Sequence, residues 1–325
     1  MTSTRGQSFP ILGLHHVTAT VDEAQPDLDF ASGTLGLRLV KKTVNFDNHH
    51  VYHFYYGNEH GTPGTIWTTF PYHGHGVPAG EKGAGQVITT SFSVPVGSLN
   101  FWRTRLAGLG VPVGEAPRRF GQEALALSDP SGLDFELIAS KDDRTPWTDE
   151  DVADSGAIRG LHSVTLQVLS PVKTLELMTG LLGFSVMDET DGWLRLGVNG
   201  GGPGKTIDVR HTPDARLARN GTGTVHHVAM AIAEADEQVA LRAELLKQGY
   251  RVTDIRDRQY FQSIYFREPG GVLFEVATLK PGFTVDEDLA HLGQALKLPP
   301  WEEPARAEIE RGLPAITSAG SRPHV

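Results

Sequence analysis

One short pattern recurs along the chain, and histidines fill it unevenly. Gly13-Leu14-His15-His16-Val17-Thr18 returns as Gly160-Leu161-His162-Ser163-Val164-Thr165 and as Thr224-Val225-His226-His227-Val228-Ala229. The double histidine stands in the first and last copies, and Ser163 interrupts it in the middle one. Each copy opens a repeat that closes on a strand-like apolar run. Pairing the opening slot with the closing slot gives His16 with Thr68, Thr89 with Glu136, Ser163 with Asp208 and His227 with Glu275. The separations are 52, 47, 45 and 48 residues, close enough to share one register. The first and fourth repeats together offer His16, His227 and Glu275, with Thr68 in the remaining slot; the second and third offer no histidine there. Imidazole and carboxylate hold divalent first-row metals, and two histidines with one carboxylate leave coordination positions open. That donor set is associated with non-haem Fe(II) that activates O2, although spacing alone leaves Mn(II), Zn(II) and Ni(II) equally open.

A lone histidine on a strand is more often a hydrogen-bonded structural residue than a ligand. Glu275 resists that reading, because a carboxylate amid Val272-Leu273-Phe274 and Val276-Ala277 is costly unless paired or bound to a cation. Glu136 sits in the same context, so the motif also survives where no histidines accompany it. The coincidence of two histidines and a carboxylate in register favours a metal. Strand alternation sends adjacent side chains to opposite faces, which keeps His15 and His226 out of their neighbours' cavity unless the strand is distorted.

Positioning these slots requires four βαβββ modules, an internal duplication in an α+β fold with two curled mixed β-sheet domains. Each module alone has an unburied sheet face, so modules must pair around a central space. The first opens with a strand at 12–19 and a helix at 21–33 for which Asp22 is the candidate cap; strands follow at 51–56 and 64–70. The second carries a helix at 98–109 with Ser98 as candidate cap, and the fourth a strand at 251–256. On this reading 10–140 holds modules one and two, 141–157 is a polar linker and 158–280 holds modules three and four. Residues 281–325 form a tail with helical pieces at 287–297 and 304–312. The metal site then comes from modules one and four.

Composition narrows the class. A chain of 325 residues with 39% hydrophobic residues can bury two cores, and no apolar run reaches the length of a membrane span. Zero cysteines exclude disulfides, thiolate nucleophiles and Cys-bound metals, which fits a reducing cytoplasm. The opening residues 1–6 lack the apolar core of a signal peptide. A net charge of −10 without Lys/Arg clusters speaks against nucleic acid. Fourteen histidines, with no cysteine, are the natural ligands. His73-Gly74-His75 reads as a solvated loop, and Gly200-Gly201-Gly202-Pro203-Gly204-Lys205 as a hairpin turn, since it lacks phosphate-loop spacing.

The chain resembles the vicinal oxygen chelate superfamily of glyoxalases, extradiol dioxygenases and fosfomycin-resistance proteins, and most closely its hydroquinone ring-cleaving dioxygenases. The resemblance rests on Leu14-His15-His16-Val17-Thr18, Gly61-Thr62-Pro63-Gly64-Thr65, His226-His227, the run from Asp257 to Arg267, Phe274-Glu275 and the Asp288-Leu289-Ala290-His291-Leu292-Gly293 tail. It implies Fe(II) held by His16, His227 and Glu275, a small aromatic substrate and O2. It also implies supporting roles for His15, Thr18, His226, Arg258 and Tyr265. Tyr265 would donate a hydrogen bond to a phenolate or reduced oxygen, and Arg258 would stabilise an anion. His226 or His15 would exchange protons near neutral pH. Each has a plainer alternative: Tyr265 packing with its hydroxyl in solvent, Arg258 in a surface ion pair with Asp257 or Asp254. Rival activities on the same fold are a glyoxalase-like metal-dependent isomerase or lyase and a non-catalytic ligand-binding protein; assembly as a homo-oligomer stays open.

Overall fold

Runs of β-branched and aromatic residues bounded by Gly and Pro set sixteen strands, and the computed structural model describes them within residues 9–317. The opening residues 1–6 and the last part of the tail, 318–325, lie outside the described residues. Module one consists of β1 (Ile11–Val21), α1 (Ala24–Leu28), β2 (Arg38–Asn45), β3 (Asn48–Gly57) and β4 (Ile66–Pro71). Module two consists of β5 (Gln86–Val94), α2 (Leu99–Gly108), β6 (Val113–Glu115), β7 (Ala124–Ser128) and β8 (Asp134–Ala139). Module three runs through β9 (Gly160–Val168), α3 (Val172–Gly180), β10 (Ser185–Thr190), β11 (Trp193–Gly197) and β12 (Thr206–His211). Module four closes the series with β13 (Thr224–Ile232), α4 (Ala235–Lys247), β14 (Arg256–Asp257), β15 (Gln262–Arg267) and β16 (Leu273–Thr278).

Two eight-stranded mixed sheets result, in the orders β14-β15-β16-β13-β1-β4-β3-β2 and β10-β11-β12-β9-β5-β8-β7-β6. Module one therefore shares a sheet with module four, and module two with module three. In each sheet the two first strands run antiparallel at the centre, and each is flanked by the parallel last strand of its own module. Alternation along β1 and β4 turns Val17, Ala19 and Trp67 toward the main core, where Trp67 and Phe92 meet Phe135 between the sheets. The other face carries His16, Thr18 and Thr68. Residues of the 141–157 segment tie the sheets together, with Arg144 donating to the carbonyls of Gly64 and Leu161 at 2.7 Å each. No helix among the described residues is long and apolar enough to cross a membrane.

Several local expectations differ from the structure. The helix expected at 21–33 is α-helical only from Ala24 to Leu28 and widens into a π-helical turn through Thr34. Asp22 does not cap it, because its carboxylate faces His73 at 3.1 Å and Glu23 takes the position before the helix. Ser98 precedes α2 but spends its hydroxyl on the Pro95 carbonyl at 2.7 Å. The strand expected at 251–256 shrinks to β14 and one bridge from Val252 to Phe266. In the tail, the helical piece at 287–297 is a single 3-10 turn, Leu289–His291. Glu287 there accepts from the backbone amides of Gly293 and Ala295, supplying the partners a helix would have provided. The tail's last helix, α5 (Arg306–Gly312), forms as expected.

The tail is anchored by a buried charge. Lys41, fully enclosed on β2, meets Asp286 at 2.7 Å and Glu287 at 2.6 Å. Phe283 and Leu292 then pack with Tyr55, Tyr260 and Phe261 on the concave side of the first sheet. Leaving such a buried ammonium without its partners costs about 3–5 kcal/mol, so the tail is held firmly against the first sheet.

Candidate metal centre and active site

The two central strands of the first sheet are bulged where the histidines sit. Leu14 pairs with Met230 and His16 with Ala229, so His15 is the extra residue on β1. Thr18 pairs with His227 and Ala19 with Val225, so His226 is the extra residue on β13. A bulge breaks the alternation expected of a regular strand and lets neighbouring side chains approach the same side. His226 accordingly lines the cavity beside His227, contrary to the expectation from an undistorted strand. His15 remains behind, its ring 4.8 Å from that of Phe261.

His16, His227 and Glu275 are all buried and converge. Glu275 Oε2 lies 2.8 Å from His227 Nε2 and 3.2 Å from His16 Nε2, and the two imidazole nitrogens are 3.3 Å apart. Yet Oε2 receives no well-directed hydrogen bond, while the other oxygen accepts from Ser263. Burial opposes ionisation of Glu275, but the adjacent imidazoles outweigh it and hold the carboxyl well below its usual range. Three nitrogen and oxygen donors crowding one point, one an orphaned buried carboxylate oxygen, fit a divalent cation.

Each imidazole facing that point is held from behind. His15 Nδ1 is 2.9 Å from His16 Nδ1, and His226 Nδ1 is 2.7 Å from His227 Nδ1. A proton placed on His16 and His227 Nδ1 satisfies both contacts and leaves both Nε2 lone pairs free for a metal. Burial, with the adjacent histidine, pushes His15 and His226 down to about 3. Such surroundings favour the neutral imidazole, which suits hydrogen bonding to His16 and His227.

The point opens into a cavity of about 350 Å³ whose wall includes Thr18, Phe70, Phe261, Arg258 and Tyr265. Tyr265 Oη faces it and accepts from Arg258 Nε at 3.1 Å. Burial raises the Tyr265 pKa, with Glu275 adding to the effect, so the phenol keeps its proton. Arg258 pairs with neither Asp257 nor Asp254. Its partner is Asp47, at 3.2 Å on the turn between β2 and β3, which also holds Arg256 at 3.0 Å; Asp254 pairs with Arg242. Thr18 is fully buried and accepts from Thr68 at 2.7 Å, so two hydroxyls occupy the place where a fourth ligand would stand. Residue types alone did not single out Asp47, Tyr55 or Phe261 for the wall, and they left His53 without a place. The signal for His53 was its alternation with Tyr55 on a strand whose neighbour presents Thr68 and Phe70.

The second sheet repeats the construction without the metal donors. Its bulges fall at Ile88 and His162, its slots hold Thr89 and Ser163, and Glu136 and Asp208 remain buried. There Arg119 donates to Glu136 at 2.8 Å and to Asp208 at 3.1 Å, and Arg195 holds Asp208 at 2.7 Å. Guanidinium groups fill the place of a cation.

Comparison with known proteins agrees with this architecture. The model of the Glyoxalase/Bleomycin resistance protein/Dioxygenase superfamily matches residues 160–276. The chain is 42% identical over 303 residues to MhqO of Bacillus subtilis (strain 168), named provisionally as a ring-cleaving dioxygenase, covering 93% of this chain and 96% of that one. It is 40% identical over 310 residues to chlorohydroquinone/hydroquinone 1,2-dioxygenase of Sphingobium indicum, covering 93% and 95%. A crystal structure from Bacillus subtilis, described provisionally as a dioxygenase, superimposes with a TM-score of 0.91 at 40% identity over 96% of this chain and 99% of that one. With its duplicated βαβββ modules and these relatives along nearly its whole length, the chain belongs to the vicinal oxygen chelate superfamily, in the family of the ring-cleaving dioxygenases it resembles.

Proposed function

We propose that the protein is an Fe(II)-dependent dioxygenase that opens the ring of an aromatic diol, a hydroquinone, by inserting O2. The observation that carries this is the convergence of His16, His227 and Glu275 at the floor of an aromatic-walled cavity, with Thr68 in place of a fourth carboxylate. Dioxygenase names among relatives at about 40% identity support an oxidoreductase. His16, His227 and Glu275 would hold a redox-active divalent metal, which would supply a shared point of attachment for diol and O2 and a path for electrons between them; Mn(II) suits the same donors.

The protein's own groups do the rest. Phe70 and Phe261 give apolar surface to the ring. Tyr265 accepts from Arg258, so its own proton is free to be donated to an oxygen that gains negative charge, with the Arg258 cation close behind. Thr18 supports the diol oxygen nearest the triad, and His15 and His226 fix the tautomers of His16 and His227. An isomerase of the glyoxalase type would use the same floor as a Lewis acid site, and the hydroxyl pair at Thr18 and Thr68 favours the more open dioxygenase arrangement.

The test is anaerobic loading with Fe(II), addition of hydroquinone and then O2, with oxygen uptake and ultraviolet absorbance of the ring-opened acid followed together. Uptake matched to product is expected; no uptake with any para- or ortho-diphenol overturns the activity. Replacing His16, His227 or Glu275 singly by Ala should lower activity by at least about 10³-fold and strip the metal. Stoichiometric iron retained in all three variants overturns the ligand assignment.

A further inference from the structure

One imidazole in the cavity has no task in this scheme. His53, on β3, lines the cavity two strands from His16. Its ring is held by Tyr55 and Phe70, whose centroids lie 4.0 and 4.3 Å away. His53 Nε2 is 3.1 Å from the Thr68 hydroxyl, which itself donates to Thr18 at 2.7 Å. A hydroxyl carries one proton. Thr68 spends its proton on Thr18, so toward His53 it can only accept. His53 is thereby fixed with its proton on Nε2, and Nδ1 is left as a bare acceptor without a hydrogen-bond partner among the described residues. Burial, reinforced by His16, holds this imidazole well below its ordinary pKa, which keeps it neutral. An immobilised acceptor in a cavity wall is costly unless something in the cavity donates to it.

We propose that His53 Nδ1 accepts a hydrogen bond from the substrate hydroxyl remote from the triad, and so makes the site selective for diols with oxygens on opposite ring carbons. The inference rests on the aromatic-diol reading above. Across the concave face, the strands β16, β13, β1, β4 and β3 carry Glu275, His227, His16 with Thr18, Thr68 and His53 in turn, His53 standing two residues along β3 from Tyr55, the direct partner of Thr68. Strands are spaced about 4.8 Å apart, so the triad and His53 stand at the two ends of a row long enough to hold an aromatic ring between them. A diol with oxygens on adjacent carbons brings both to the triad and leaves His53 unserved. A diol with oxygens on opposite carbons serves both ends. Sites built to hydrogen-bond a hydroxyl discriminate strongly against analogues lacking it, because the buried partner is then left unpaired.

The decisive experiment measures binding to the Fe(II)-loaded protein without O2. Affinities of hydroquinone and phenol, which differ only in the remote hydroxyl, are compared in the wild type, His53→Phe and His53→Asn. The wild type should prefer hydroquinone by about tenfold or more. His53→Phe should bring that ratio to within about twofold while phenol affinity and iron content stay unchanged. His53→Asn, whose side-chain carbonyl can accept, should restore part of the preference, and it decides the matter where His53→Phe does not fold. A ratio that persists in His53→Phe, an undiminished wild-type ratio in His53→Asn, or its absence from the wild type overturns the role of His53. Oxygen uptake separates the two readings: a wild type that binds both compounds yet consumes no O2 fails as a dioxygenase, while the ratio still tests His53.

Discussion

The two sheets are built alike and end differently. Both centre on antiparallel first strands bulged beside the slots, and both bury carboxylates on the last strands. Even the serine contact recurs, Ser263 donating to Glu275 in one and Ser91 to Glu136 at 2.7 Å in the other. In the second sheet, Arg119 and Arg195 neutralise Glu136 and Asp208, and each guanidinium also covers a ring, Trp193 at 4.9 Å and Phe120 at 4.2 Å. In the first sheet no Lys or Arg pairs with Glu275 among the described residues; only His16 and His227 do. A buried carboxylate needs a positive partner. One sheet carries that partner in its own sequence, and the other keeps donors for a partner from outside.

The largest effect on this comparison should come from removing the internal cation. Arg119→Met leaves Glu136 and part of Asp208 uncompensated in the core and should cost about 3–5 kcal/mol in urea unfolding. The divalent-metal content at the first sheet should stay at the wild-type level. A loss below about 1 kcal/mol would mean that Glu136 tolerates burial without a cation, and the contrast between the sheets would lose its physical basis.

Much of this contrast was legible in residue types. The slots at His16, Thr89, Ser163 and His227, and the carboxylates at Glu136, Asp208 and Glu275, keep their spacing because strand lengths and turns are repeated in each module. The bulges were not legible, since an extra residue in a ladder is a property of pairing and leaves no mark in the types of His15 or His226. Arg119 was equally hidden: it lies in the loop between β6 and β7, and only the closed sheet brings it to Asp208 from another module. The tail misled because 287–297 has helical composition, whereas Glu287 is committed to Lys41 on a distant strand. His53 acts through Thr68 on the neighbouring strand and Asp47 through Arg258 from the opposite edge of the same sheet, so neither shows a motif in its own segment.

A smaller contrast lies on the opposite face of the sheets, eleven residues downstream of each slot, where the modules carry Asp27, Asn100, Thr174 and Gln238. Three of these are buried. Gln238 donates to the carbonyls of Gln262 and Val276, and Thr174 to Glu268, but Asp27 alone of the four can ionise. It accepts from Tyr56 at 2.8 Å and from Thr69 at 2.6 Å. Burial nevertheless raises its pKa from 3.8 to about 7. A carboxyl raised on folding favours the protonated state, so its contribution is full below about pH 4 and is lost as pH rises through about 7. The loss reaches at most about 4 kcal/mol, since each tenfold change in proton affinity is worth about 1.4 kcal/mol. Asp27→Asn should flatten the pH dependence of the unfolding midpoint between about pH 4 and 8, while the wild type loses stability across it. An unchanged slope would assign that dependence to another group.

The smallest expected effect separates the two bulged histidines that occupy matching places. His15 contacts His16 Nδ1 at 2.9 Å, and His162 contacts the Ser163 hydroxyl at 3.0 Å. The geometry is the same, but only the first contact orients a proposed ligand. Removing such a partner weakens metal binding by about 10–100-fold, so His15→Ala should show that loss in competition with a chelator. His162→Ala should leave metal affinity within about twofold of the wild type, because its partner is a hydroxyl on the sheet that carries arginine in place of metal donors. Each substitution empties a similar buried space, so comparable losses of stability are expected from both and do not discriminate. Equal losses of metal affinity would show that the effect travels through general loosening of the fold. A loss confined to His15→Ala would locate it in the hydrogen bond that keeps His16 Nε2 free.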